Sequence, residues 1–328
     1  MSNLVTIIGG SGFVGRYIAR GMAKEGWRVR VAVRRPNEAL FVKTYGAVGQ
    51  VEPVLCNIRD DASVAAAIRG ADAVVNCVGT FDRAGRNKCD AINADGAARV
   101  ARLAAAEGVA SLVHISSIGA DPAAASQYSA SKGRGEEAVL AAFPKAVILR
   151  PSVIFGPEDK FFNRFAGMAR LGPVLPLVGG NTRFQPVYVG DVAAAAVMGA
   201  TGAAAAGVHE LGGPDVDTLK GLVGKMLTVI RRRRLVLNLP FFAGSVIGTL
   251  ADFGSAVTLG LIRNTLLTAD QVRALKVDNV VAPKARTLAD LGITPTALDA
   301  VLPEYLWRYR PSGQYAAITE SAKNLRKA

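Results

Sequence analysis

Tyr128 and Lys132 stand four positions apart in QYSASKGRGEE, residues 127–137. That is a spacing on which a hydride-transfer enzyme can be built, because residues four apart share one helix face. Seven tyrosines in the chain make an accidental pair of this kind commonplace, so location must decide. A second group is GGSGFVG, which sets Gly9, Gly12 and Gly15 in a GxxGxxG pattern with Phe13 and Val14 inside it. Glycines there let the chain turn tightly and let backbone amides approach a pyrophosphate at the positive end of a helix. A third is VAVRRPNE, where Arg34 and Arg35 replace the acidic side chain that would grip the ribose of NAD. Guanidinium forks bind a 2′-phosphate and a carboxylate repels it, so NADPH (or NADP) is the expected cofactor.

These residues need a scaffold, and the hydropathy pattern supplies one. LVTII, VRVAV, PVLC, AVVNCVG, LVHISS and AVILRPSV are short apolar runs separated by helical stretches such as AARVARLAAAEG. Continuously apolar strands are buried on both faces, and alternation with helices implies parallel pairing. The expected fold is α/β, a Rossmann-type doubly wound parallel sheet. The glycine turn follows its first strand and opens its first helix. The dyad follows the fifth strand. Cys56, Asn57 and Ile58 end the third strand, where such folds line the adenine. Asn76, Cys77, Val78 and Gly79 end the fourth, beneath the adenosine and diphosphate.

The chain has 328 residues, half of them hydrophobic, enough for one large domain with an appendage or for two. Cys56, Cys77 and Cys89 form no CxxC pair, and His114 and His209 lie in apolar strand-like runs. Neither a disulfide framework nor a metal site is expected. A net charge of +13 suggests an acidic partner: an anionic lipid surface, an acidic protein face or nucleic acid. With aromatics at 6% and no recognisable nucleic-acid module, nucleic acid ranks last. LVTII lies close to Met1 and no apolar run is long enough to span a bilayer, so the expectation is a soluble or peripheral protein without signal or transit peptide.

GxxGxxG, NCVG, HISS and YSASK, in this order and spacing, resemble the short-chain dehydrogenase/reductase superfamily in its extended or atypical branch. The resemblance implies that Lys132 binds the nicotinamide ribose and lowers the tyrosine pKa, while Tyr128 exchanges a proton with the substrate oxygen. Ser117, or alternatively Ser116, would polarise that oxygen, with Asn93 in support. Ser116, Pro151 and Val153 complete the expected cofactor-binding set. RPSVIFGPEDKFFNRFA, RFQPVYVGDVA, VHELGGP and LTADQVRALKVDNVV further resemble the NADPH-binding accessory subunits of respiratory complex I and their bacterial relatives. That likeness implies a tightly held structural nucleotide, no turnover, and partners among the complex I subunits near the quinone-binding junction. The alternative is an active NADP-dependent reductase, dehydrogenase or epimerase, of a branch associated with ubiquinone biosynthesis. Only the small-residue segment IGADPAAASQ separates Ser117 from Tyr128, leaving few side chains to define a substrate.

After HELGGP the pattern changes, which predicts a nucleotide-binding domain over 1–213 and a smaller, mostly helical region over 214–328. Arg231, Arg232, Arg233 and Arg234 precede a stretch over 241–262 with Phe242, Val246, Leu250, Phe253, Val257 and Leu261 at helical spacing. Such a helix behind a basic tract is the arrangement of an interfacial anchor on an anionic leaflet. Periodicity alone fits a core-packing helix equally well. The resemblance favours the peripheral position, on the cytoplasmic side of the inner membrane.

Overall fold

The computed structural model describes residues 3–246, 249 and 268–315. They form two compact units that interleave along the chain. The first holds residues up to Ser152, Val189–Gly212 and Val281–Pro295; the second holds Val153–Tyr188, Gly213–Val280 and the residues from Thr296 onward. The chain passes between the two units more than once.

In the first unit, β1 (Leu4–Ile8), β2 (Arg28–Val33), β3 (Val51–Leu55), β4 (Ala73–Asn76), β5 (Ser111–Ile115) and β6 (Val147–Pro151) join the strand Gly207–Leu211. All pair in parallel, in the order Gly207–Leu211, β6, β5, β4, β1, β2, β3. The chain reverses direction across the sheet between β1 and β4, so a crevice opens at their carboxyl ends. The register places Ile8 beside both Ala32 and Asn76, and Asn76 beside His114, which aligns the strand ends that carry the site.

Helices cover both faces. Ile8, Ala32, Val74, Leu112 and Ile148 pack against α2 (Asp61–Ile68), α3 (Asp95–Glu107) and Val139 of α4 (Gln127–Ala142). Burying each large aliphatic side chain contributes roughly 1.5–3 kcal/mol. The other face meets α1 (Phe13–Lys24), whose buried Ile18, Ala19, Met22 and Ala23 form one stripe, and the helix Val189–Ala200. Close approach there requires small residues: a Cβ on Gly199 would stand 2.8 Å from Val113, and one on Gly21 2.8 Å from Val197. Both histidines are buried strand residues.

The second unit has its own core, built on Phe155, Phe162, Leu175, Leu177, Leu222, Met226 and Leu302. The helices Phe162–Leu171, Leu219–Val229 and Leu298–Leu306 supply much of it. Three two-stranded sheets accompany them, among them Leu235–Leu239 in parallel with Val174–Val178. The rear region expected to be mostly helical therefore carries strands as well.

Candidate functional site

The glycine turn is shaped by backbone geometry. Gly9 takes φ +80°, and its amide donates to the carbonyl of Ala32 at 2.8 Å, fixing the end of β1 to β2. Only glycine adopts that conformation without strain. A Cβ on Gly15 would lie 2.5 Å from the Gly9 carbonyl oxygen, so α1 presses directly on the turn. Gly12 caps α1 without a side-chain bond. The amides of Phe13, Val14 and Gly15 are then first-turn donors with no carbonyl one turn back. This is a cradle suited to an anion, reinforced by the helix dipole. Arg16 folds back over it, Nη2 donating to the Ser11 carbonyl at 3.1 Å with the guanidinium 5.0 Å from the Phe41 ring.

Arg34 and Arg35 follow β2 and are both exposed. Arg35 Nη1 pairs with Glu38 at 2.9 Å, so Arg34 is the better placed to meet an added phosphate. Asn57 ends β3 in a local net: its amide donates to Ser63 Oγ at 2.9 Å and its Oδ1 accepts from Arg59 N at 3.2 Å. Ile58 is buried in the core beside Gly96. At the end of β4, Cys77 N donates to the Ile8 carbonyl and Val78 N to Asn76 Oδ1. The Asn76 amide donates to His114 Nδ1 at 3.2 Å. Burial, then the charge of Lys132, pushes the His114 imidazole down to about 3, which keeps it neutral.

The dyad lies on α4, started by Ser126, whose Oγ accepts from Ser129 N. Lys132 is buried, and its Nζ donates to the Ile115 carbonyl at 2.8 Å. Burial pushes its pKa down to about 8 against the opposing pull of Glu136, Cys77 and Cys89. Gly79 leaves room for it: a Cβ there would be 3.3 Å from Nζ. Burial raises the Tyr128 phenol above its ordinary value; Ser117 opposes the rise and Cys89 adds to it. Ser117 therefore lies beside the phenol. The Ser116 hydroxyl oxygen is buried with no hydrogen-bond partner among the described residues. An orphaned buried hydroxyl of this kind is what a bound ligand would satisfy.

Asn93 sits in a π-helical turn, Asp90–Ala94, just ahead of α3. Its Oδ1 accepts from Thr80 N at 2.9 Å, and its Nδ2 donates to the Thr80 carbonyl and to Ser131 Oγ, each at 3.0 Å. It joins the loop after β4 to the helix of the dyad. Pro151 ends β6, its carbonyl accepting from Ile118 N at 3.0 Å. Val153 falls in the second unit, its amide bonded to Asn279 Oδ1 at 3.0 Å.

Sequence reasoning passed over two features. Arg150 on β6 grips Glu136 of α4 with Nε 3.0 Å from each carboxylate oxygen, and it reaches Glu210 at 3.5 Å. A lone charge inside the apolar run AVILRPSV was its visible signal. Phe81 stacks on Tyr128 with centroids 4.1 Å apart, and nothing in the sequence marked it.

In the second unit, the arginine tract alternates. Arg232 Nε donates to the Tyr309 carbonyl at 2.9 Å and Arg234 Nε to the Ala169 carbonyl at 2.7 Å, while Arg231 and Arg233 are exposed. Residues 241–246 are helical with Phe242 and Val246 exposed; most of the amphipathic stretch expected over 241–262 lies outside the described residues. Among the described residues no helix is long and apolar enough to cross a membrane. GPEDKFFN is organised by Asp159, whose carboxylate accepts from Gly156 N, Phe161 N and Asn163 N and from Tyr305 Oη at 2.5 Å.

The sequence matches the NAD dependent epimerase/dehydratase family over residues 5–210. It is 33% identical over 326 residues to the NADH dehydrogenase (ubiquinone) 1 alpha subcomplex subunit 9, mitochondrial, of Arabidopsis thaliana, covering 98% of this chain and 81% of that one. It is 35% identical over 191 residues, 58% of this chain and 59% of the relative, to the ceramide reductase of Caulobacter vibrioides. The fold is shared with dTDP-glucose 4,6-dehydratase from Bacillus anthracis in complex with NAD, at a TM-score of 0.69 and 17% identity over 94% of this chain and 96% of that one.

Proposed function

The chain belongs to the NAD dependent epimerase/dehydratase family, and from that premise we propose that it is an NADP(H)-binding accessory subunit of respiratory NADH:ubiquinone oxidoreductase that turns over no substrate of its own. The observation that carries this reading is the likeness to a complex I subunit over 98% of the chain, with the cradle, dyad and arginines all within it.

The residues present fit a phosphorylated dinucleotide. Phe13, Val14 and Gly15 offer amides to the pyrophosphate across the glycine turn of Gly9 and Gly12. Arg34 takes the 2′-phosphate, helped by Arg35 once Glu38 is displaced. Asn57 and Ile58 bound the adenine, and Cys77 to Gly79 lie beneath the diphosphate. Lys132 and Tyr128 hydrogen-bond the nicotinamide ribose; Asn93 holds their helix, Ser117 lies beside the phenol, and Ser116 supplies a hydroxyl still in want of a partner. Pro151 completes the set within the first unit. When bound, the nucleotide would supply a hydride donor or acceptor. In this reading its role is to stabilise the native state by mass action. A phenol held neutral by burial serves as a donor to a ribose and is disfavoured as a base for alcohol oxidation.

The subunit sits peripherally at the membrane edge, on the cytoplasmic side of the inner membrane, near the quinone-binding junction. Exposed Arg231 and Arg233 face anionic lipid there. A second reading, an active NADP-dependent reductase, is favoured by the likeness to a ceramide reductase and by the complete Ser117, Tyr128 and Lys132 set. Purification from native membranes in mild detergent separates the two. Co-purifying complex I subunits and NADPH released on denaturation support the first. A turnover that Tyr128→Phe abolishes supports the second.

A further inference from the structure

The strands Leu235–Leu239 and Val174–Val178 pair with Leu235 beside Val174 and Leu237 beside Pro176. Side chains alternate between the two faces of such a pair. Leu175, Leu177 and Val236 belong to the core of the second unit, so the opposite face is left to solvent. On that face Leu235 is 65% exposed, Leu237 48% and Val174 41%, and Leu171, just ahead of the pair, is 91% exposed. Large aliphatic side chains gathered on one open face mark an interaction surface.

The alternation continues back into the arginine tract. Arg231, Arg233, Leu235 and Leu237 are exposed, while Arg232, Arg234 and Val236 are partly covered. The bond from Arg234 Nε to the Ala169 carbonyl sets that guanidinium beside Arg170. Arg232 joins them: burial first, then the charges of Arg234 and Arg170, push its pKa down. Cations therefore collect at the leading end of the apolar face. The two segments that build it carry nothing to neutralise them, since residues 160–190 and 218–246 contain no Asp or Glu.

We infer that the face of Val174, Leu235 and Leu237, with Leu171, enters the surface of an anionic bilayer, the leucines among acyl chains and the adjoining guanidiniums among lipid phosphates. A second copy of the same face would set arginine against arginine, because a two-fold interface brings like patches together. An acidic protein patch would match the arginines and leave the leucines in a polar setting. A bilayer interface offers a phosphate layer and an apolar layer side by side, the order in which the chain presents Arg231, Arg233, Leu235 and Leu237.

This rests on the peripheral membrane reading above and adds insertion to attraction. The test uses the full chain with phosphatidylcholine vesicles, with and without phosphatidylglycerol. Wild type should bind the anionic vesicles, and Leu235→Ser with Leu237→Ser should weaken that binding roughly tenfold through lost apolar burial. Leu237→Trp should gain fluorescence quenching by brominated acyl chains beyond that of wild type, whose own tryptophans are Trp27 and Trp307. Val48→Trp, exposed in the first unit, should gain none. Absence of added quenching at Leu237→Trp, or a serine variant that binds as tightly as wild type, overturns insertion; the membrane reading survives that result if wild type binds. Wild type indifferent to anionic vesicles overturns both. A serine variant that keeps vesicle binding but loses co-purifying complex I subunits gives the face to a protein partner and overturns the inference. Leu237→Ser alone serves should the double variant not fold.

Discussion

Lys132 Nζ lies 2.8 Å from the carbonyl oxygen of Ile115, so the ammonium of the dyad is tied to the end of β5. Its folded pKa is pushed from 10.5 down to about 8. Between those values the unfolded chain keeps a proton that the folded chain has shed, so the Lys132 contribution makes stability rise with pH across that window. Relative to Lys132→Met, wild type should gain on the order of 3 kcal/mol from pH 8 to above 10, and the gap should be constant below 8. Urea unfolding of both proteins across this range checks it; a pH-independent gap contradicts the assignment.

Arg150 neutralises Glu136 and Glu210, both nearly closed to solvent. Arg150→Met leaves two buried carboxylates without their cation and should cost about 3–5 kcal/mol. Adding Glu136→Gln should recover part of the loss. Strict additivity in a double-mutant cycle would show that the pair does not interact.

Gly15→Ala forces a methyl to within 2.5 Å of the Gly9 carbonyl oxygen. The turn must open, and nucleotide binding should fall at least a hundredfold by titration. Gly26, at φ +78° with nothing within 4 Å of a Cβ, is the control. Gly26→Ala should cost roughly 1–2 kcal/mol of stability and leave binding intact.

The four arginines at 231–234 should divide into two pairs. Arg231→Glu with Arg233→Glu should abolish sedimentation with anionic vesicles. Arg232→Ala and Arg234→Ala each break a bond to a carbonyl, of Tyr309 and Ala169, and each should lower stability by about 1 kcal/mol. Equal effects of all four on vesicle binding would contradict the division.

The parts of the fold that depend on local pattern were readable along the chain. LVTII, AVVN and SLVHI are strands because continuous apolar runs bury on both faces, and GGSGFVG turns because only glycine fits there. The place of Tyr128 and Lys132 followed from strand order. Long-range pairing was not readable. LVLNL at 235–239 pairs in parallel with Val174–Val178, and no local signal names a parallel partner so distant in the chain. The interleaving of two units at Ser152 and Val189 is hidden for the same reason. Within the site, the Arg35–Glu38 pair and the Phe81 stack depend on how loops close after β2 and β4. Hydropathy carries no information on that.

A cradle at Gly9–Gly15 and an Arg34 guanidinium that together hold a phosphorylated dinucleotide must make thermal unfolding respond to added nucleotide. NADPH is expected to raise the melting temperature at concentrations well below those needed with NADH, and Arg34→Ala should erase that difference. A melting temperature indifferent to both nucleotides, in protein shown to carry none, would contradict the claim.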